Sequence, residues 1–172
     1  MDGINKKLNE FLKLHQQKLF KLALLKAADY DVALDIVQET MMAMVKKYRH
    51  KTEEEWLVLI YKILNNKVVD WKRKSFFSTL KIIFSDDSLD TVESGQLSME
   101  DELLMNREAR QINEKTKDLT QKQKEVIWMK HYGDYTFQEI GQIMSINENS
   151  VKTHYYRALE ALKKSDVEVC YE

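Results

Sequence analysis

The stretch TFQEIGQIMSINENSVKTHYYR, residues 136–157, decides the reading of the fold. Thr136 followed three residues later by Glu139 is a capping box, in which each side chain satisfies a backbone N–H that the start of a helix leaves free. The helix it opens is short, running from Phe137 to about Met144. Only Ser145, Ile146 and Asn147 separate it from a longer helix that turns Val151, Tyr155, Ala158, Leu159 and Leu162 inward, with Asn147 as its cap. Two helices joined by so short a turn form a helix-turn-helix. Gly141 falls where they cross, and the lack of a side chain there lets the backbones approach closely. With the apolar stripe inward, Asn149, Lys152, Thr153 and Tyr156 face outward on the N-terminal half of the last helix, with Arg157 beside them. Cations for phosphates or guanine edges, amide and hydroxyl groups for base edges, and an aromatic edge suit a major groove. The alternative is an ordinary solvated helix face.

Working outward, Thr120 with Gln123 makes another capping box, Gly133 is expected to end the helix that follows it, and Ser98 with Asp101 opens a helix through Leu103, Leu104 and Ala109. Residues 1–76 also read as helices: Leu8, Phe11, Leu12, Leu19, Leu22 and Ala23 share one spacing, and Val32, Ile36, Val37, Thr40, Met41 and Met44 another. Thr52 with Glu55 starts the last helix of this unit, whose stripe is Leu57, Ile60, Leu64, Val68 and Trp71. From Ser75 to Ser98 the periodicity fades, and the stretch from Ser85 to Gly95 is rich in Ser, Asp and Gly. The expected architecture is all-α: a helical domain at 1–76, a flexible acidic linker at 77–98, and a helix-turn-helix domain at 99–172.

Composition agrees and excludes several classes. The 172 residues contain no proline and only 4 glycines, which favours long helices. The single cysteine, Cys170, forms no internal disulfide and no thiolate metal site, which fits a reducing, cytoplasmic setting. No apolar run approaches the roughly 20 residues needed to span a bilayer, so no membrane insertion is expected. The four histidines (His15, His50, His131, His154) are scattered without metal-ligand spacing, and no Gly-rich phosphate loop occurs. An enzyme, a metal site, a cofactor and a small-molecule substrate are therefore not expected. The net charge of −1 hides an uneven distribution: residues 1–76 carry 15 Lys+Arg against 10 Asp+Glu, residues 77–118 carry 5 against 10, and residues 119–172 carry 7 against 8. A nucleic acid responds to the local field, which is positive at the front.

Two further faces stand out in the first unit. Lys62, Asn66, Asp70 and Arg73 fall at helical spacing opposite the apolar stripe, with Lys67, Lys72 and Lys74 adding charge. Trp71, Phe76 and Phe77 lie nearby as candidate stacking surfaces, although a lysine-rich helix end equally well compensates the helix dipole. Asp35, Gln38, Glu39 and Met42 form an acidic and apolar face that suits a basic protein partner or, equally, plain solvent.

Together these residues resemble the extracytoplasmic-function sigma factors, which retain sigma regions two and four. Asp35-Ile36-Val37-Gln38-Glu39-Thr40 is similar to the region-two signature, and Ile63, Asn66, Asp70 and Arg73 to the helix engaging the promoter minus-ten element. Leu119-Thr120, Gln123-Lys124-Glu125-Val126, Glu139-Ile140-Gly141, Ser150-Val151-Lys152-Thr153 and Arg157-Ala158 resemble region four, with Ser145 at a turn position that is usually glycine. The resemblance implies that Asp35, Gln38, Glu39 and Met42 contact the clamp helices of core RNA polymerase. It implies that Tyr48, Arg49, His50 and Lys51 hold a flipped minus-ten base beside the face of Lys62, Asn66, Asp70 and Arg73. Asn149, Ser150, Lys152, Thr153, Tyr156 and Arg157 would read the minus-thirty-five element of promoter DNA. An anti-sigma factor is a common further partner in that family. The competing reading is a stand-alone helix-turn-helix regulator acting as a symmetric dimer.

Overall fold

The computed structural model describes residues 2–84 and 98–168, and side chains over 6–78 and 98–164. Seven α-helices are present among the described residues: α1 (Asp2–Ala27), α2 (Tyr30–Ala43), α3 (Glu53–Phe84), α4 (Met99–Lys115), α5 (Gln121–His131), α6 (Phe137–Met144) and α7 (Glu148–Glu168). A π-helical turn, Met44–Tyr48, prolongs α2. No strand occurs among these residues, in accord with the all-α expectation. The α3 helix continues eight residues past the expected domain end at 76, because Phe77 to Phe84 contain no glycine or proline to stop it. The rest of the expected linker, 85–97, lies outside the described residues, as does Cys170.

Local chemistry sets the helix ends. Asp29 accepts the Val32 N–H at 3.0 Å to start α2. Thr120 and Thr136 form complete capping boxes with Gln123 and Glu139. At α3 the box is only half made: Glu55 accepts the Thr52 backbone N–H at 3.0 Å, while the Thr52 hydroxyl donates to Glu55 instead of accepting. Those bonds, with the Lys51 ammonium, hold the Glu55 carboxyl below its ordinary range.

The front half packs α1, α2 and α3 through Leu19, Leu22, Ala33, Ile60 and Leu64, all fully buried, and the back half packs α5, α6 and α7 through Val126, Ile140, Val151 and Ala158. These buried side chains form one continuous cluster, since α1 touches α4 and α5 and α3 touches α6. Polar bonds also cross between the halves. Glu125 accepts from the Lys26 ammonium and, at 3.0 Å, from the Tyr61 hydroxyl, with the Lys26 and Glu125 side chains only 6% and 14% exposed. Burial, followed by the Glu125 carboxylate, pushes the Tyr61 hydroxyl well above its ordinary pKa and keeps it a donor. Tyr135, also buried, lies 3.3 Å by its hydroxyl from His15 Nδ1, with the Lys18 ammonium 4.8 Å from its ring centroid. Burial lowers the His15 pKa, so the imidazole is neutral at neutral pH and able to accept a hydrogen bond. Asn113 completes the contact by donating to the Leu25 carbonyl at 2.7 Å.

Three turn positions show how tightly the back half is drawn. A Cβ on Gly141 would lie 2.8 Å from the Ile146 carbonyl oxygen, so glycine is required where α6 meets the turn. Gly133 departs from expectation: it follows the Tyr132 C-cap with an ordinary negative φ, and the left-handed residue is Asp134 at φ 52°. Gly133 is needed because a Cβ would strike the Tyr135 ring at 2.8 Å. Ser145 caps α6 at φ 55°, ψ 42°, a conformation that costs a side-chain-bearing residue about 1 kcal/mol.

Two stability outcomes follow. Glu125→Ala strands a buried ammonium and a buried hydroxyl and should cost about 3 kcal/mol in urea unfolding; wild-type stability would show that Glu125 joins nothing. Ser145→Gly should raise stability by about 0.5–1 kcal/mol while Gly141→Ala lowers it, read by thermal unfolding; a less stable Ser145→Gly would contradict the strain at the turn.

Candidate nucleic-acid interface

The α7 helix rises directly from the turn. Its first N–H groups are set by Asn147, whose Oδ1 accepts the Ser150 N–H at 2.8 Å, and Val151 and Ala158 pin the opposite side in the core. Asn149, Thr153, Tyr156 and Arg157 are exposed on the outer face, with Ser150 and Lys152 half-buried at its edge. The face is ordered from within: the Thr153 hydroxyl donates to the Asn149 carbonyl at 2.9 Å, and Lys152 pairs with Glu148 at 2.6 Å one turn away. Tyr155, expected inward, is only half-buried. Its ring lies between His131 and Tyr156, at 5.6 and 5.4 Å between centroids, and its hydroxyl is 3.1 Å from His131 Nε2. A helix start that projects polar groups outward, with its positive dipole end nearby, can take a phosphate and present side chains to a groove.

On α3, Lys62, Asn66, Asp70 and Arg73 are all exposed on one side of the helix, a row about 16 Å long at 1.5 Å per residue. The segment before it tightens through the Lys51 N–H donating to the Tyr48 carbonyl at 3.0 Å, and Lys51 is tied to Glu55 at 3.1 Å. This leaves Arg49 and His50 exposed between the π-helical turn and α3, with Tyr48 and Lys51 half-buried.

Asp35, Gln38, Glu39 and Met42 are likewise exposed along α2. One feature of this face was not legible in local spacing: Glu39 pairs with Lys67 of α3 at 2.5 Å, across 28 residues of sequence. Asp35, Glu39, Lys67, Asp70, Trp71 and Lys74 line a common groove of about 280 Å³, so Asp70 borders the acidic face as well as its own row. Trp71, expected on the core stripe, is half-buried there. No group of three His, Cys, Asp or Glu side chains is gathered as a metal site among the described residues, and no helix among them is long and apolar enough to cross a membrane.

Comparison with known proteins places this geometry. The family described as Sigma-70, region 4 matches residues 110–162, which run from late α4 through the helix-turn-helix. The chain is 31% identical over 153 residues to RNA polymerase sigma factor SigV of Bacillus subtilis (strain 168), covering 87% of this chain and 84% of that protein. It is 25% identical over 156 residues to ECF RNA polymerase sigma factor SigX of the same organism, covering 87% and 78%. Among solved structures it is similar to the sigma factor RpoE of Bartonella quintana, crystallised with the anti-sigma factor NepR, at a TM-score of 0.59 and 19% identity over 92% of this chain and 96% of that one. That likeness speaks to the fold. The similarity to SigV spans both halves, which a stand-alone helix-turn-helix regulator would not explain, and the chain belongs to the RNA polymerase sigma factors of the extracytoplasmic-function group.

Proposed function

We propose that this protein binds core RNA polymerase and directs transcription initiation at promoters carrying minus-ten and minus-thirty-five elements. The observation that carries the reading is the capped helix-turn-helix whose second helix presents Asn149, Thr153, Tyr156 and Arg157 outward, within a chain similar to SigV over both halves. Asn149, Ser150, Lys152, Thr153, Tyr156 and Arg157 contact the minus-thirty-five element, the cations on phosphate or guanine and the amide and hydroxyls on base edges. Lys62, Asn66, Asp70 and Arg73 face the minus-ten element, and Tyr48, Arg49, His50 and Lys51 hold an unstacked base. Capturing that base lowers the cost of opening the duplex, so binding energy melts DNA without a catalytic group. Asp35, Gln38, Glu39 and Met42 dock on the polymerase, and an anti-sigma factor is a further partner. The setting is the cytoplasm, and no enzyme activity belongs to the chain itself.

Geometry adds a requirement. Elements near minus ten and minus thirty-five lie about 25 base pairs apart, roughly 85 Å along the duplex. A packed chain of this length has a radius of gyration of only about 16 Å. The two halves therefore separate on the polymerase. Glu125, Lys26 and Tyr61 lose their mutual bonds in that step, and each gains water in exchange.

Transcription in vitro with core polymerase on a promoter library tests the assignments. Lys152→Ala should weaken upstream recognition roughly tenfold, whereas Asn66→Ala should leave upstream binding intact and slow strand opening. Wild-type transcription from both variants would remove these site assignments.

A further inference from the structure

Tyr135 crosses from the back half into the front. It leaves the left-handed turn at Asp134 with its backbone N–H held by the Met129 carbonyl at 3.1 Å, and its side chain is buried. The ring stacks on His15 of α1 at 18° with centroids 5.9 Å apart, and stands edge-on to Tyr61 of α3 at 6.5 Å. Its hydroxyl is 3.3 Å from His15 Nδ1. His15 is itself buried, covered on its own helix by Phe11 at 4.3 Å between centroids and from the other half by Tyr135. The charges that face it come from every side of this contact. From α1 comes Lys18, whose ammonium sits 4.8 Å from the Tyr135 ring centroid and donates to the Asp134 carbonyl at 3.0 Å. Lys21, one turn on, is drawn to the Asp134 carboxylate at 3.9 Å. From α6 comes Glu139, whose carboxylate is already engaged by the Thr136 N–H at 2.7 Å and hydroxyl at 2.9 Å. From α3 comes the Tyr61 hydroxyl, already bound to Glu125.

We infer that His15 and Tyr135 form an acid-sensitive latch: the two halves stay together while the imidazole is neutral and part when it takes a proton. The inference rests on the reading that the halves separate on the polymerase, and it adds what regulates that step. A neutral imidazole suits the closed contact, because it accepts a hydrogen bond from the Tyr135 hydroxyl and brings no second cation beside Lys18. An imidazolium in the same place is buried, faces the Lys18 ammonium and finds Glu139 occupied in capping α6. Burial first, and Lys18 second, therefore hold the His15 pKa below its ordinary value in the closed chain. Parted halves return the ring to water and to a pKa of about 6.5. The open form thus binds the proton more tightly. Closure is at full strength above about pH 6.5 and weakens as the pH falls toward the closed-state value, by at most about tenfold per pH unit. A chain that must open to dock binds in proportion to its open fraction, so acid raises its apparent affinity for core polymerase. The other histidines are placed elsewhere, His50 exposed ahead of α3, His131 bonded to Tyr155 and His154 on α7.

The test follows the full-length chain, free of polymerase, by small-angle X-ray scattering from about pH 7.5 to about pH 6, wild type against His15→Gln. Glutamine keeps a hydrogen-bonding side chain at this position and takes no proton. The wild type should expand from a radius of gyration of about 16 Å as the pH falls, its open fraction rising severalfold, while His15→Gln stays compact throughout. A wild-type radius that ignores pH, or a variant that expands as the wild type does, would overturn the latch. Thermal unfolding shows whether the variant folds. If it does not, the assigned imidazole resonances of His15 in the wild type decide: they must titrate across the same transition as the radius, and a His15 that titrates apart from it ends the inference. A second arm measures affinity for core polymerase, each wild-type value divided by that of His15→Gln at the same pH to remove titration of the polymerase itself. The ratio should rise severalfold toward pH 6. An unchanged ratio beside a responsive radius leaves the latch standing and removes the reading that the halves part on the polymerase.

Discussion

A single buried carboxylate organises the relation between the two halves of this molecule. Glu125 on α5 takes the Lys26 ammonium from α1 and the Tyr61 hydroxyl from α3, so one side chain ties together three helices that are distant in sequence. A buried ion pair of this kind contributes little net stability relative to an apolar contact, since desolvation offsets most of the attraction. It differs from an apolar contact in being specific: Lys26 and Tyr61 are satisfied only when α5 sits in one register against α1 and α3. The Tyr135 contact with His15 and the Asn113 contact with the Leu25 carbonyl repeat the same logic at two other points. Polar contacts of this sort can also let go, because water replaces each lost hydrogen bond at modest cost.

This mode of contact leaves the outward surfaces of both halves uncovered. The helix-turn-helix is drawn together from within, by Gly141 against the turn, by capping boxes on α5 and α6, and by Val151 and Ala158 in the core. The exposed face of α7 is therefore held on rigid supports. On α3 the same division holds over a longer helix, with Ile60, Leu64 and Val68 buried and Lys62, Asn66, Asp70 and Arg73 in solvent. The proposed promoter-binding role asks for this combination, with outward faces prepared in advance on two halves joined by contacts that water can replace.

Much of this was legible in the sequence because helix caps and apolar spacing are local signals. The caps at Thr120, Thr136, Asn147 and Ser98 fall where the residues placed them, and the inward stripe of α7 is buried at Val151 and Ala158 and half-buried at Tyr155, Leu159 and Leu162. What escaped is long-range or depends on backbone torsion. Nothing near Glu125 announces partners 99 and 64 residues away. Glu39 and Lys67 look like two unrelated surface charges until α2 and α3 are laid side by side. Gly133 suggests a left-handed cap, yet the left-handed residue is its neighbour Asp134, and the glycine serves the Tyr135 ring instead. The apolar periodicity fades near residue 76 while α3 runs on to Phe84, because the exposed Phe76 and Phe77 disturb the amphipathic pattern without breaking the helix.

The most direct measurement is association of the full-length chain with sigma-free core polymerase at low salt, followed by gel filtration. A heterologous one-to-one complex, with the protein alone running as a monomer, is the expected result. A homodimer that ignores the polymerase and binds paired half-sites by itself would contradict the central claim.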